Sequence, residues 1–492
     1  MEAIVSIKPL LAILVSLGVV PLIIVSWKKP NIREGWTFIA AILKFAIVLS
    51  MLPIVLLGKT ISFNIFQVLP DLAIHLKVDS FGLLFALVSS FLWILTSAYS
   101  IGYMRGLKEH SQTRYFCFFA VSLSATIGVA FSANLLTMYL FYEMLSFATY
   151  PLVTHHQDRE AKTAGRKYLA YIVGSSIGLV LPAMIIIYQT TGSLDFSSKG
   201  LLAELESTLT LVILLLLLVF GFAKAGIMPF HSWLPAAMVA PTPVSALLHA
   251  VAVVKVGVFC IFRVLTGVFG IDTLQLHNLG TPVCYIAAFT IITASLIALA
   301  QDNLKSRLAF STIGQLSYIV LGAALLTPLG LKGGMLHIAM HAFGKITLFF
   351  CAGAIFVTTG IKNISDMKGI GLRMPLTMLA FLFGSLSVIG LPPGGGFISK
   401  WFLVLGTLEA NQIGMLIVLL VSSVLNAAYF LPIVYKAFFS PAEESRFDKS
   451  IKEAPAWCLI PLILTAICSI ILLFYPQPFY SLADLTVQTL NL

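Results

Sequence analysis

Apolar runs of about 20 residues recur along the whole chain, and a few charged residues lie near the middle of some runs. At 1.5 Å per residue, a helix of about 20 residues crosses a hydrocarbon layer of about 30 Å. Hydrophobic residues make up 59% of the 492 residues, and charged residues 10%. Soluble domains are only roughly 45–50% apolar. The sequence therefore predicts an all-α polytopic membrane protein.

The apolar runs predict about 14 transmembrane helices. The loops between them are too short to contain a soluble domain. The predicted ranges are 9–27, 35–57, 79–101, 113–131, 134–153, 166–190, 209–229, 242–267, 277–300, 305–327, 332–358, 374–391 continuing to 408, 411–437 and 455–476.

The distribution of basic residues predicts the orientation. Of the 30 Lys and Arg residues, 19 lie in or beside loops that follow odd-numbered helices, five lie on the opposite side and six lie inside helices. Short cytoplasmic loops are enriched in Lys and Arg. Loops after odd-numbered helices are therefore expected in the cytoplasm, and both termini outside. Because the basic residues are dispersed over separate loops, they do not indicate nucleic-acid binding.

Five ionisable side chains lie deep inside predicted helices. A charge at the centre of a bilayer costs roughly 2.5–3.5 kcal/mol, so five unpaired charges would cost on the order of 12–17 kcal/mol. Such groups mark ion or proton paths. The alternatives are a static ion pair between the first two and an interfacial lysine for the last. The five are Glu143, Lys224, Lys255, Lys345 and Lys400.

Histidines accompany two of these lysines. His337, His341 and Lys345 lie at i, i+4 and i+8, on one helix face, where they could relay protons or make separate hydrogen bonds. His249 precedes Lys255 by six residues, about 120° away around the helix. A third metal ligand does not accompany the histidine pair, and the six cysteines lack metal-binding spacing, so neither a metal site nor a cofactor is expected.

Two helices contain breaks, and two asparagine motifs recur. The breaks lie around Pro229 and around Pro392 and Pro393, and the motifs begin at Asn134 and Asn303. The members of each pair are five predicted helices apart, so they run in opposite directions, as in inverted repeats with broken helices near an ion site. The predicted units are an N-terminal three-helix segment (1–112), two repeats of five helices (113–267 and 277–437) and a C-terminal loop and helix (438–492).

The chain resembles the antiporter-like subunits of respiratory complex I and the Mrp-type sodium/proton antiporters. The matching segments are FYEMLSF, FAKAGIMPFHSWLP, APTPVSALLHAVAVVKVG, STIGQLSY, MHAFGKITLFF and GLPPGGGFISKW. The resemblance implies two inverted five-helix repeats with helices seven and twelve discontinuous. It also implies a glutamate–lysine pair at Glu143 and Lys224, a central relay, and an exit lysine at Lys400. The chain length and Lys400 resemble most the Mrp D subunit and its relatives in membrane-bound hydrogenases, whereas His249 is similar to the large subunit type.

These features predict a proton-translocating subunit in a multi-pass, prokaryotic-type inner membrane, with other membrane subunits and lipid as partners. Whether sodium also crosses this chain stays open. The alternatives are a subunit of a redox-driven pump in a complex I-like or hydrogenase complex, and a structural subunit that does not transport. A redox or hydrolytic site of its own is not indicated by any motif.

Overall fold

The computed structural model describes residues 3–70, 72–247, 251–440 and 450–490. These residues are mostly helical. Ser176–Val180 is π-helix between two α-helices, and Val264–Phe269 continues helix Val253–Arg263 as π-helix up to Gly270. The α-helices are Lys8–Val25, Pro30–Leu49, Leu52–Leu56, Ser80–Gly106, Gln112–Ala130, Leu135–Val153, Arg159–Ser175, Leu181–Thr191, Thr208–Gly221, Trp233–Ala236, Thr242–Leu247, Val253–Arg263, Ile271–Leu276, Gly280–Ala300, Leu304–Ala324, Pro328–Thr359, Ile370–Arg373, Pro375–Ile389, Gly396–Glu409, Ile413–Phe439, Ala456–Phe474 and Gln477–Thr489.

Within the described ranges, nine helices are long and apolar enough to cross a membrane. Each of the predicted spans contains helix. Two of them are shortened to Thr208–Gly221 and Pro375–Ile389 because the chain breaks inside the predicted span. The mostly helical membrane fold is therefore confirmed, and the number of 14 spans stays a prediction.

A small three-stranded sheet departs from the all-α prediction. Strand Ala3–Val5 pairs in parallel with Thr60–Leu69, which pairs antiparallel with Leu72–Val78. Apolar and polar residues alternate in part of the central strand, as strands with two different faces require. The hairpin is tied to the helix before Ser132, since the Lys77 backbone N–H donates to the carbonyl of Phe131 at 2.7 Å.

The two asparagine motifs occupy equivalent places in the structure. Asn134 begins helix Leu135–Val153 and accepts a hydrogen bond from the backbone N–H of Thr137. Asn303 begins helix Leu304–Ala324 and accepts one from Ser306 in the same way. Such N-caps satisfy donors that the first helical turn leaves free. This recurrence supports the two-repeat division, which we retain as a proposal.

Both predicted helix breaks are present. Helix Thr208–Gly221 ends before a tight turn at Ala223–Ala225, and regular helix resumes at Trp233. The indole N–H of Trp233 donates to the Ala223 carbonyl at 3.0 Å and braces this break. The second break separates helix Pro375–Ile389 from Gly396–Glu409. Proline and glycine at these places remove a backbone donor or relax the helical constraint.

One glycine allows the first break to pack directly against the next helix. A Cβ placed on Gly257 would lie 2.0 Å from the backbone nitrogen of Ala225 and 2.3 Å from the carbonyl carbon of Lys224. Helix Val253–Arg263 therefore approaches the break backbone to backbone. This contact fixes the position of Lys255, two residues before Gly257, relative to Lys224.

Substituting alanine for Gly257 should lower the thermal unfolding midpoint of the purified protein, because the methyl group has no space. Overpacking of a core typically costs about 1–3 kcal/mol. The control is Gly314→Ala, another buried helical glycine, whose Cβ would meet its nearest atom at 3.6 Å, an ordinary contact. Equal midpoints for the two variants would contradict the close approach.

Candidate functional site

Six of the predicted site residues are buried in the interior, each at most 8% exposed. Four separate elements carry them: the first break, the helix that follows it, helix Pro328–Thr359, and the helix after the second break. They are Lys224, Lys255, His337, His341, Lys345 and Lys400. His249 lies outside the described residues.

Lys224 is held at the first break by the neighbouring helix Leu135–Val153. Its Nζ donates to the carbonyl of Tyr142 at 2.7 Å and to the Ser146 hydroxyl at 2.6 Å. The same Nζ lies 3.1 Å from the centroid of the Tyr142 ring. A carbonyl, a hydroxyl and a π face all favour the charged ammonium.

Glu143 follows Tyr142 directly but does not pair with Lys224. Among the described residues, neither carboxylate oxygen has a hydrogen-bond partner, although both oxygens are buried, and no ion pair joins Glu143 to Lys224. The Lys224 Nζ donates instead to the backbone of Tyr142 and to Ser146, and the functional pairing of Glu143 with Lys224 stays a prediction. Glu143 is only partly buried, and on its face of the helix Leu140 and Phe147 are exposed. This helix face therefore lies near the lateral surface of the chain, while the carboxylate oxygens themselves are buried.

The centre of the site contains polar atoms that the protein leaves unsatisfied. Within the described ranges, the Nζ atoms of Lys255 and Lys345 and both ring nitrogens of His341 are buried without a hydrogen-bond partner. The Lys345 Nζ makes a cation–π contact, 5.4 Å from the Phe430 ring centroid. Burying such groups without a hydrogen-bond partner costs several kcal/mol of folding free energy. Internal water, which commonly satisfies buried polar groups, is therefore needed here.

His337 is hydrogen-bonded through both ring nitrogens. Its Nδ1 lies 2.9 Å from the Ser399 hydroxyl and its Nε2 lies 3.0 Å from the side-chain oxygen of Gln315. That hydroxyl also donates to the Gly396 carbonyl at 3.1 Å. With the Gln315 oxygen facing the ring, the doubly protonated imidazole donates both bonds, whereas the neutral ring requires the hydroxyl to turn away from Gly396. Gain or loss of a proton is thus coupled to one hydroxyl rotation.

Lys400 lies at the second break, at the C-terminal end of helix Pro375–Ile389. Its Nζ donates to the carbonyl of Ile389 at 2.9 Å and to Ser423 at 3.3 Å. The last carbonyls of a helix lack intrahelical partners and carry partial negative charge, so a cation is favoured there. Gly390 leaves the space for this side chain, since a Cβ there would lie 2.5 Å from the Lys400 Cδ.

Tyr318 and Gln315 are site residues that the sequence analysis did not single out. The Lys400 Nζ lies 4.6 Å from the centroid of the Tyr318 ring, and this ring stacks on His337 with a centroid distance of 5.5 Å. The His337 and His341 rings follow at 5.6 Å. Gln315 and Tyr318 are three residues apart on one helix face, a spacing that could have pointed to them. Contacts thus run without interruption from Lys400 through Tyr318 and His337 to His341.

Comparisons with known proteins show the family to which the chain belongs. The family described as NADH:quinone oxidoreductase/Mrp antiporter, TM, matches residues 132–426. NADH-quinone oxidoreductase subunit N of Desulforudis audaxviator is 34% identical over 420 residues, 82% of each chain. The A subunit of the Na(+)/H(+) antiporter of Alkalihalophilus pseudofirmus is 31% identical over 478 residues, which cover 91% of this chain and 58% of that relative. The chain thus spans little more than half the length of the antiporter relative.

Two solved structures share the fold over nearly the whole chain. A chain of the Mrp complex from Dietzia sp. DQ12-45-1b aligns with a TM-score of 0.87 and 21% identity, covering 99% of this chain and 98% of that one. A chain of the membrane-bound sulfane sulfur reductase, an archaeal respiratory membrane complex, aligns with a TM-score of 0.88 and 25% identity over the same shares. Both aligned chains are parts of larger complexes.

Replacing Lys345 with methionine should raise the thermal unfolding midpoint by about 1–3 °C. A buried polar group with no protein partner costs about 1–3 kcal/mol, and a chain of 492 residues shifts by about 1 °C per kcal/mol. The control is Lys44→Met. Lys44 is equally buried, but its Nζ donates to Ser16 at 2.6 Å and faces the Trp93 ring, so its replacement should give no gain. If Lys345→Met lowers the midpoint as much as Lys44→Met does, the unpartnered Lys345 side chain does not destabilise the fold.

Proposed function

Because the chain belongs to the transmembrane family of NADH:quinone oxidoreductases and Mrp antiporters, we propose that it is a proton-translocating membrane subunit of a multisubunit cation/proton antiporter of the Mrp type. The observation that carries the proposal is the buried series of titratable side chains. At its centre, Lys255, His341 and Lys345 contact no protein hydrogen-bond partner in the described part of the chain. Groups placed to exchange protons with water serve a proton path and weaken the fold.

We assign the first step to Glu143 and Lys224. Each lies on one of two neighbouring elements, and the Tyr142 carbonyl that accepts from Lys224 directly precedes Glu143. Protonation of Glu143 removes a negative charge from this region and so favours loss of the Lys224 proton. Lys255 receives it next, since its helix rests on the break that carries Lys224.

The second half of the path runs along helix Pro328–Thr359 to the second break. Lys345, His341 and His337 lie on one face of that helix. From His337 the path passes Tyr318 to Lys400, which the helix end at Ile389 holds. His249 is assigned a supporting role near Lys255 on the sequence alone.

A second host complex has its own support. Subunit N of an NADH-quinone oxidoreductase is 34% identical to this chain, and the sulfane sulfur reductase chain is 25% identical with a TM-score of 0.88. The same path would then pump protons under the control of a redox module in other subunits. Both hosts require neighbouring membrane subunits, and the exposed Leu140 and Phe147 beside Glu143 offer an apolar face for one of them or for lipid.

Glu143→Gln should lower proton translocation at least tenfold, because the amide cannot take up or release the proton. The purified complex would be assayed in proteoliposomes with a pH-sensitive dye, after its subunit composition is checked. Glu204→Gln is the control, since Glu204 is an exposed loop carboxylate. Wild-type transport by an intact Glu143→Gln complex would contradict the proposal and favour a structural subunit that does not transport.

The orientation follows from the basic loops: those after odd-numbered helices face the cytoplasm, and both termini face outward. A cysteine at Lys362, exposed after helix Pro328–Thr359, should react with an impermeant maleimide only in inside-out vesicles. A cysteine at Lys199, exposed in the loop before helix Thr208–Gly221, should react only in right-side-out vesicles. The six native cysteines are buried or partly buried, so the wild-type background is low. Reversed labelling would mean that the topology is inverted.

A further inference from the structure

A cluster of three histidines and one glutamate lies outside the membrane-spanning helices and takes no part in the proposed path. Glu109 and His110 follow helix Ser80–Gly106, and His155 and His156 follow helix Leu135–Val153. We propose that these four side chains form a binding site for a divalent transition-metal cation such as Zn²⁺. The proposal does not depend on the proton path.

The three imidazoles converge on one carboxylate oxygen of Glu109. Glu109 Oε2 lies 3.8 Å from His110 Nδ1, 3.8 Å from His155 Nε2 and 3.7 Å from His156 Nδ1. Ligand atoms of Glu109, His110 and His156 all lie within 4.8 Å of one another. These separations exceed hydrogen-bond lengths of about 2.7–3.2 Å. The three imidazoles therefore lie close to the carboxylate without a hydrogen bond to it.

The spacing is close to that of a four-coordinate metal centre. Zinc binds imidazole nitrogen at about 2.0–2.1 Å, which separates tetrahedral ligands by about 3.3–3.4 Å. Glu109, His110 and His156, whose ligand atoms lie within 4.8 Å of one another, would reach this geometry by moving their side chains toward a common centre. His155 Nε2, 3.8 Å from Glu109 Oε2, would move in as the fourth ligand. Three neutral imidazoles and one carboxylate suit zinc and its neighbours better than the oxygen-seeking Mg²⁺ or Ca²⁺.

The buried imidazole of His155 is an independent observation that points to a ligand. Its side chain is fully buried, and neither ring nitrogen has a hydrogen-bond partner among the described residues. Its Nε2 nevertheless faces Glu109 at 3.8 Å. Buried ring nitrogens are normally satisfied. A cation bound between His155 and Glu109 would satisfy one of them.

The surroundings orient the ligands. The His110 Nε2 donates to the carbonyl of His155 at 3.0 Å, which leaves Nδ1 with the lone pair that faces Glu109. Arg114 donates to the same carbonyl at 2.7 Å and fixes its position. A hydrogen bond to the other ring nitrogen selects the tautomer of a metal-binding histidine.

The test compares metal binding by the purified complex with that of a His110→Ala/His156→Ala double variant. Both are stripped with chelator, dialysed against Zn²⁺ and analysed by elemental mass spectrometry. We expect one zinc fewer per chain in the variant. The side chains replaced are partly exposed, so the variant should fold. His277→Ala is the control, because His277 is another loop histidine, and its ring is hydrogen-bonded to Thr208 and lies outside the cluster.

Cobalt provides the readout of geometry. Co²⁺ added to the stripped wild-type complex should give the visible absorption of a four-coordinate site, and the band should be missing in the double variant and kept in the control. Equal zinc content in wild type and variant, or a wild type without a Co²⁺ band beyond that of the variant, would overturn the proposal.

Discussion

The cost of holding an ammonium group in an apolar interior governs the layout of this chain. At both breaks, protein groups that bind the ammonium offset that cost. Lys400 binds the free carbonyl at a helix end, and Lys224 binds a carbonyl, a hydroxyl and an aromatic face. Between them, Lys255 and Lys345 find no such partners in the described part of the chain. Protein atoms therefore stabilise charge at the two breaks, and none of the described protein atoms does so through a hydrogen bond in the middle.

Local features of the fold could be predicted from the sequence. Pro229, Pro392 and Pro393 mark the two breaks because proline and glycine act on the backbone where they stand. Asn134 and Asn303 begin equivalent helices because an N-cap needs only the residues of the next turn. The burial of the lysines also follows from their apolar neighbours in sequence.

Contacts between distant segments could not be predicted in this way. The hydrogen bond from Lys224 to the Tyr142 carbonyl could not be predicted, because the position of that carbonyl depends on how two segments pack. Tyr318 stands between Lys400 and His337 for the same reason. The histidines that converge on Glu109 come from two loops that no metal-binding motif connects. The sheet was not predicted because its first strand, Ala3–Val5, pairs with a segment more than 50 residues away.

The length of helix Pro328–Thr359 has an electrical consequence. Its 32 residues extend for about 48 Å, and His337 and Lys345 are separated by about 12 Å along its axis. That distance is about two-fifths of a hydrocarbon layer of about 30 Å. Moving one charge across the full layer takes about 2.3 kcal/mol per 100 mV. With the helix axis along the membrane normal, a proton passing from His337 to Lys345 would exchange about 1 kcal/mol of work with a membrane potential of 100 mV, and the occupancies of these two residues would then depend on voltage.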